Sequence, residues 1–117
     1  MQNQPPSVPA NGTVTQEEDG TVSVQWDSSS VNESVVIRYR LSSEATSTTH
    51  DFGYSEGIRY VFNKSDLKPS ESDTAAYIYL YGSNRRAPLD LSDKEKCSWI
   101  FENSVVSNRA PTLRINF

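Results

Sequence analysis

Residues 73–82 constrain the fold of this chain most, because they are mainly apolar at both odd and even positions. Side chains alternate between the two faces of a strand, so residues at every second position share a face. One face takes the tyrosines, Tyr77, Tyr79 and Tyr81. The other face takes aliphatic residues, Ala76, Ile78 and Leu80. This pattern predicts a central strand, or one whose outer face is covered by a neighbouring element, a second copy of the chain or a ligand.

The rest of the chain contains short β-prone runs separated by turn signals. Asp19 and Gly20 lie between two such runs, and this pair predicts a hairpin because both residues tolerate positive φ. The runs occupy residues 13–16, 21–26, 34–41, 57–62, 98–101 and 112–117, besides the tyrosine segment. Residues 89–96 could form a single helical turn, but no longer window has a helical period. The pattern predicts an all-β fold, an antiparallel β-sandwich of about seven strands.

Alternation within two of these runs indicates which side chains enter the core. The second run has apolar residues at alternate positions, Val22, Val24 and Trp26. Because a slip of one residue would expose all three, we expect Trp26 to be buried between the sheets. The third run has one apolar face, made of Val35, Ile37, Tyr39 and Leu41. Its other face carries Arg38 and Arg40, which we expect to meet solvent or acidic groups.

The length of 117 residues fits one domain with a core of its own. Residues 1–9 are proline-rich and are predicted to be extended or frayed, and residues 10–117 to form a single β-sandwich domain. The first residues lack the pattern of a signal peptide, which favours an intracellular location unless the chain belongs to a longer secreted protein. The last predicted strand runs to the final residue, as expected of a module excised from a longer protein.

The charge and cysteine content argue against several classes of function. The formal net charge is −4, from 15 acidic and 11 basic residues, which disfavours binding to nucleic acid or to anionic membranes. No apolar run is long enough to insert into a membrane. Cys97 is the single cysteine, so no intrachain disulfide can form, and we expect it to be a small buried residue beside Trp99.

Catalytic residues are scarce in this sequence. His50 is the single histidine and lies in a Ser/Thr-rich stretch that predicts a polar loop over residues 42–51. One histidine and one cysteine cannot complete a tetrahedral zinc site, and the five glycines form no phosphate-binding loop. Catalysis would need a base within reach of a nucleophile, and His50 alone offers a conventional one. We therefore expect no enzyme activity, no cofactor and no metal.

Two parts of the sequence between residues 20 and 82 resemble the fibronectin type III and immunoglobulin-like superfamilies. Trp26 in the second strand and Tyr39 in the third resemble the type III pattern. Leu67, Pro69 and then Tyr77 resemble the approach to the tyrosine corner, in which a tyrosine hydroxyl bonds to backbone just upstream. The connection before Tyr77 is longer than the type III corner, and residues 88–101 have no counterpart in either family.

This resemblance implies a sandwich without a disulfide, because Tyr79 stands where antibody-type domains have their second cysteine. It also favours a register in which Tyr77 and Tyr79 point into the core and Ile78 and Leu80 point outward. The opposite register, with the tyrosines displayed, stays open. A second resemblance is to SKICH domains, carried by residues 36–42 and 77–81, although Tyr77 and Tyr79 depart from the Asp-Trp-Ile-Gly of that family and the spacing is longer.

The two-sided strand and the missing catalytic residues together predict a non-catalytic protein-interaction or adaptor module. Its binding face would include residues 76–81, and its partner would be another protein or a second copy. The candidate binding residues are Tyr77, Tyr79, Tyr81, Ile78, Leu80 and Arg85. The alternative is a carbohydrate-binding module, in which outward Tyr77, Tyr79 and Tyr81 stack on sugar rings beside the polar residues at the end of the strand.

Overall fold

A computed structural model describes residues 4–117 and contains strands and one α-helix within them. The strands are β1 (Thr13–Gln16), β2 (Thr21–Gln25), β3 (Ser34–Leu41), β4 (His50–Ser55), β5 (Arg59–Asn63), β6 (Ala75–Ser83) and β7 (Leu113–Asn116). The helix α1 spans Asp93–Asn103, and a single 3₁₀ turn spans Lys64–Leu67. The segment predicted to be extended or frayed covers residues 1–9, and its first three residues, Met1 to Asn3, lie outside the described residues.

The strands form two antiparallel sheets that pack face to face. One sheet has three strands in the order β1-β2-β5, and the other has four in the order β4-β3-β6-β7. The predicted all-β sandwich of about seven strands is therefore confirmed. Between the sheets lies a core of buried side chains that includes Val22, Val24, Trp26, Val35, Ile37, Tyr39, Leu41, Phe62, Leu67, Ile78, Leu80 and Ile115.

The predicted hairpin joins β1 and β2, which pair from Gln16 with Val22 outward. Gly20 has φ of 92°, in the left-handed region that glycine adopts without steric cost, and its N–H donates to the carbonyl of Glu17 at 3.1 Å. The carboxylate of Asp19 accepts the N–H of Thr21 at 2.9 Å. The turn thus fixes the register that places Trp26 in the core, where the side chain is 3% exposed.

The register of β6 is opposite to the one that the immunoglobulin-like alignment favoured. Ile78 and Leu80 are fully buried between the sheets, whereas the tyrosines face outward. The tyrosine corner expected at Tyr77 is also wrong, because Ala76 takes the inward position there. The hydroxyl of Tyr39 on β3 bonds instead to the carbonyl of Leu67, at 3.0 Å. Leu80 pairs with Ile37 and Ile78 with Tyr39, so these residues share the inward face of the sheet, and a register one residue away would reverse every side chain.

Helix α1 occupies a region in which the sequence predicted one helical turn and a separate apolar run. The single helical turn expected within residues 89–96 and the apolar run at 98–101 both fall in or beside this one helix. Ser92 caps it, since its hydroxyl accepts the N–H of Glu95 at 3.2 Å and the Glu95 carboxylate accepts the N–H of Ser92 at 2.9 Å. The apolar residues of the helix, Cys97, Trp99, Ile100 and Phe101, lie close together in sequence and do not recur every three or four residues, so the sequence shows no helical period.

Strand β4 was not predicted, because its first residues were assigned to a polar loop. His50, Asp51 and Gly53 are poor strand formers, yet the strand pairs antiparallel with β3 through a bulge between Ile37 and Arg38. The pairing leaves His50 at the first position of the strand instead of in a loop. Long-range pairing with β3 therefore outweighs the local preference of these residues.

The described part of the N-terminal segment is tied to the four-stranded sheet. Ser7 donates its N–H to the side chain of Asn32 at 2.8 Å, and the Asn32 amide donates back to the Ser7 carbonyl at 2.9 Å. Gly82 lies beneath this crossing, where an added Cβ would overlap the Ser7 carbonyl oxygen and the Asn32 side chain. A glycine is required there because the two backbones approach so closely.

We expect Trp26→Ala to lower the free energy of unfolding by about 3–5 kcal/mol, since it opens a large cavity between the sheets. The indole N–H of Trp26 has no acceptor among residues 4–117, so Trp26→Phe removes an unsatisfied donor and should cost much less. Chemical denaturation measures both, and Trp99→Ala, at a half-buried site on the helix, is the matched control. Equal losses for Trp26→Ala and Trp99→Ala would contradict the assignment.

We expect Tyr39→Phe to destabilise the fold by about 1–3 kcal/mol, because it leaves the buried carbonyl of Leu67 without its hydroxyl donor. Tyr60→Phe is the control, since the hydroxyl of Tyr60 bonds to Asp93 at 3.0 Å in an exposed position. Urea denaturation of the two variants gives the comparison. A Tyr39→Phe variant as stable as Tyr60→Phe would show that the bond to Leu67 contributes little.

Candidate functional site

Helix α1 covers one half of the outer face of the four-stranded sheet. It buries a second apolar cluster, made of Val36, Tyr54, Tyr79, Tyr81, Ala87, Cys97 and Ile100. Arg38 is enclosed in the same region: its guanidinium lies 3.4 Å from the ring centre of Phe101, and its Nε bonds to the Asp51 carboxylate at 2.8 Å. The face of β6 that needed covering is therefore covered largely by the chain itself.

The candidate binding residues do not form one accessible surface. Ile78 and Leu80 are fully buried in the inter-sheet core, and Tyr79 and Tyr81 are only 4% and 9% exposed. Tyr77 is half-buried on the outer face. Ile78, Leu80, Tyr79 and Tyr81 therefore offer little accessible surface in this arrangement, because both faces of β6 are packed.

Arg85 is exposed but lies at some distance along the chain from the open part of the sheet. Its guanidinium is 5.0 Å from the ring centre of Trp99, and it donates to the carbonyl of Asn103 at 2.7 Å. It borders an open groove of about 790 Å³ between the N-terminal segment and the end of α1. Arg85 therefore caps the helix rather than extending the tyrosine row.

Sugar stacking on the three tyrosines would need their ring faces, and two of these are occupied. The guanidinium carbon of Arg109 lies 3.6 Å from the ring centre of Tyr79. Phe101 packs edge-on against Tyr81, with the ring centres 5.1 Å apart. Only Tyr77 retains an accessible portion, so the expected three-ring platform is not formed in this arrangement.

The other half of the outer face carries arginines instead of a helix. Arg40 on β3 and Arg114 on β7 are the cross-strand neighbours of Tyr77 on β6. Their guanidinium carbons lie 4.6 Å and 6.0 Å from the ring centre of Tyr77. Arg109, just before β7, covers the next tyrosine in the row. We call the four residues Arg40, Tyr77, Arg109 and Arg114 the arginine surface.

Tyrosine hydroxyls hold two of these arginines in place. Arg109 donates its Nε–H to the hydroxyl of Tyr81 at 2.7 Å while its guanidinium carbon lies over the ring of Tyr79. Arg40 donates its Nε–H to the hydroxyl of Tyr79 at 3.3 Å, and its Nη1 donates to the carbonyl of Glu44 at 3.0 Å. Each guanidinium is thus positioned by an aromatic row beneath it, through bonding and cation–π attraction.

The arginines of this surface have no carboxylate partner within 4 Å among residues 4–117. The salt bridges among residues 4–117 use other basic groups, and they join Arg38 to Asp51, Arg86 to Glu33 or Glu56, and His50 to Glu44. The recorded side-chain bonds of Arg109 and Arg114 use only their Nε atoms. Their terminal nitrogens therefore remain available as donors. A cluster of positive charge stands out in a chain whose net charge is −4.

Sequence reasoning missed this surface because its members come from three separate segments. The only basic pair adjacent in the sequence is Arg85 and Arg86, and it lies in a different place. One signal was present, namely that Arg40 alternates with core residues and must face outward. Arg109 and Arg114 carry no such signal without knowledge that β7 pairs with β6.

The two groups with potential for catalysis are both engaged in structural contacts. Cys97 is fully buried, with its sulfur 3.5 Å from the carbonyl of Ile37 and 3.6 Å from the Asp51 carboxylate. Burial raises the pKa of this thiol to about 12, so it is protonated at neutral pH. The Nε2 of His50 lies 2.8 Å from the carboxylate of Glu44. The expectation of a buried Cys97 is confirmed.

The described residues contain neither a cluster of metal ligands nor a membrane-spanning helix. Residues 4–117 contain no group of three or more His, Cys, Asp or Glu side chains placed to hold a metal ion. Within the same residues, no helix has the length and apolar character needed to cross a membrane.

Comparison with known proteins assigns the chain to no family. No protein-family model matches it, and neither does any curated protein. The class that the structure defines is a small antiparallel β-sandwich with a helix packed on the outer face of one sheet. The function must therefore be argued from the surface itself.

We expect Cys97 to resist thiol reagents in the folded protein at pH 8 and to react rapidly once the chain is unfolded. The thiolate is the reactive form, and burial keeps the thiol protonated. Reaction with Ellman's reagent, with and without denaturant, measures this. A Leu89→Cys variant in a Cys97→Ser background is the control, because Leu89 is 87% exposed and should react at once. Fast reaction of native Cys97 would show an accessible, activated thiol.

Proposed function

We propose that this chain is a non-catalytic protein-interaction module of the fibronectin type III or immunoglobulin-like kind, and that it binds through the arginine surface. The order of its strands supports the first part. In immunoglobulin-like sandwiches strands A, B and E share one sheet and C, F and G the other, with an added C′ beside C. Here β1, β2 and β5 share one sheet, and β4, β3, β6 and β7 the other.

Departures from that pattern limit the resemblance. The helix between β6 and β7 and the shifted register of β6 have no counterpart in the expected type III corner. The SKICH resemblance stays a prediction, since it too rests on short segments. Fold alone does not define what such a module binds, so the binding proposal rests on the residues at the surface.

The arginine surface is the observation that carries the binding proposal. Arginine and tyrosine are the residues enriched in protein interfaces, where a ring and a guanidinium supply contact area together with directed hydrogen bonds. Arg40 and Arg114 lie beside the half-buried Tyr77, and Arg109 lies over Tyr79, the next tyrosine of the row. This is the part of the predicted face around residues 76–81 that remains accessible.

The surroundings of Cys97 and His50 support the non-catalytic part of the proposal. The thiol of Cys97 is protonated and buried, and the ring of His50 is bonded to Glu44. The sulfur of Cys97 contacts the Ile37 carbonyl and the Asp51 carboxylate, and the bonded partner of the His50 ring is Glu44 instead of a thiol or hydroxyl. The proposal therefore assigns these residues to stability.

We expect a photo-crosslinking amino acid, p-benzoylphenylalanine, in place of Tyr77 to attach the chain to a discrete protein in the cells that express it. The same amino acid in place of Val61 is the control, because Val61 is exposed on the outer face of the other sheet. Attachment at position 77 and not at position 61 supports the proposal. Equal products from both sites, or none from position 77, would contradict it.

Two further measurements would identify the other candidate partners, a second copy of the chain and a carbohydrate. Attachment of the chain to itself, with a mass that rises with concentration in sedimentation, would make the partner a second copy. A glycan array that responds to the wild type and not to Tyr77→Ala would revive the carbohydrate hypothesis, restricted to the one ring that is still accessible.

A further inference from the structure

We infer that the arginine surface recognises an acidic protein segment, one that presents several Asp or Glu carboxylates along an extended stretch. This inference rests on the proposed function and names the chemistry of its partner. It follows from the number, the spacing and the unused hydrogen-bonding capacity of the guanidinium groups at this place.

The unused donors of Arg109 and Arg114 match the geometry of a carboxylate. Each side chain uses its Nε in the described structure, and the two terminal nitrogens are free to donate a pair of parallel bonds. A guanidinium binds a carboxylate through such paired bonds, which are stronger than bonds between neutral groups. Both residues are exposed, so a partner reaches them without any rearrangement of the fold.

The aromatic rings keep the guanidinium groups in position before a partner arrives. Arg109 is held by Tyr79 and Tyr81, and Arg40 by the Tyr79 hydroxyl and the Glu44 carbonyl. A long side chain that is already ordered loses less conformational entropy on binding. The tyrosines thus serve the site from beneath, although they were expected to touch the ligand themselves.

The spacing of the arginines favours several carboxylates over one compact anion. Arg40 and Arg114 lie on β3 and β7, on the two sides of β6, and neighbouring strands are about 4.8 Å apart. Both guanidinium groups lie near the ring of Tyr77, whereas that of Arg109 lies over Tyr79, about 7 Å farther along β6. A single phosphate would be held best by converging donors, whereas a chain of carboxylates can engage these arginines in turn.

The surrounding charges select against a polyanion that is larger than the surface. The rest of the chain is acidic, and it would repel a nucleic acid that extends beyond the arginines. Glu44 is the acidic residue whose backbone contacts Arg40, and its carboxylate is occupied by His50 and by the N–H of Leu41. It therefore leaves the arginine surface free to accept the carboxylates of a partner.

Titration of the isotopically labelled protein with hexaglutamate, followed by NMR, tests the inference. We expect the Nε–H signals of Arg40 and Arg109 and the backbone signals of β6 and β7 to shift, with little change in β1, β2 or β5. Hexaglutamine should cause no shift, and about 0.5 M salt should abolish most of the effect. Inorganic phosphate at equal concentration should bind more weakly than the peptide.

Substitutions distinguish the contribution of these arginines from a general effect of positive charge on hexaglutamate binding. Arg109→Gln and Arg114→Gln should each weaken hexaglutamate binding about two- to fivefold, the range expected for one exposed ion pair. Arg59→Gln is the matched control, because Arg59 is exposed on the other sheet and bonds through its Nε to the hydroxyl of Ser23 at 3.0 Å. Arg114→Gln removes no contact to the core, so it remains informative if Arg109→Gln proves unstable.

The possible outcomes test the acidic partner and the proposed binding surface separately. Equal loss of affinity in Arg59→Gln and Arg114→Gln, or shifts spread over both sheets, would overturn the inference in favour of nonspecific charge attraction. Tighter binding of phosphate than of hexaglutamate would overturn it in favour of a phosphate site. If hexaglutamate fails while crosslinking at position 77 succeeds, only the acidic partner is wrong; if both fail, the proposed function is wrong as well.

Discussion

The pairing of β3 with β6 is the interaction on which the rest of the structure depends. Each of these central strands is buried on its inner face, and much of the outer face is covered as well. A sheet that is apolar on both sides cannot leave either side in water, because exposed apolar surface of that extent costs free energy. The three-stranded sheet covers one side, with Trp26 at the contact, and helix α1 covers half of the other.

The cover of the outer face divides it into two parts with different chemistry. Where α1 packs, the helix covers the sheet, and Arg38 and Cys97 both contact the Asp51 carboxylate. Beyond the helix, arginine side chains cover the tyrosine rings, and Arg109 and Arg114 remain exposed to solvent. A guanidinium can shelter a ring and still donate to a partner, whereas an aliphatic side chain can do only the first. The same residues therefore stabilise the sheet and present charge.

The sequence predicted the sandwich, the β1–β2 hairpin and the burial of Trp26, because each depends on local alternation and on a turn. It did not predict β4, α1 or the register of β6. His50 and Gly53 join a strand only because β3 offers a partner, and the helix has few apolar residues. The register of β6 is set by its long-range pairing with β3, and because both faces of β6 are apolar, local alternation does not show which face turns inward.

By itself, the sequence determined that residues 76–81 are apolar at both odd and even positions and that one face needs a cover from outside the strand. It also determined the residue types available, few of them catalytic and many of them tyrosine and arginine. Only the tertiary structure decided that this cover is α1 on one half and Arg40, Arg109 and Arg114 on the other. The reason is physical: Arg40 lies far along the chain from Arg109 and Arg114, and the pairing of β3 and β7 with β6 brings these segments to one surface.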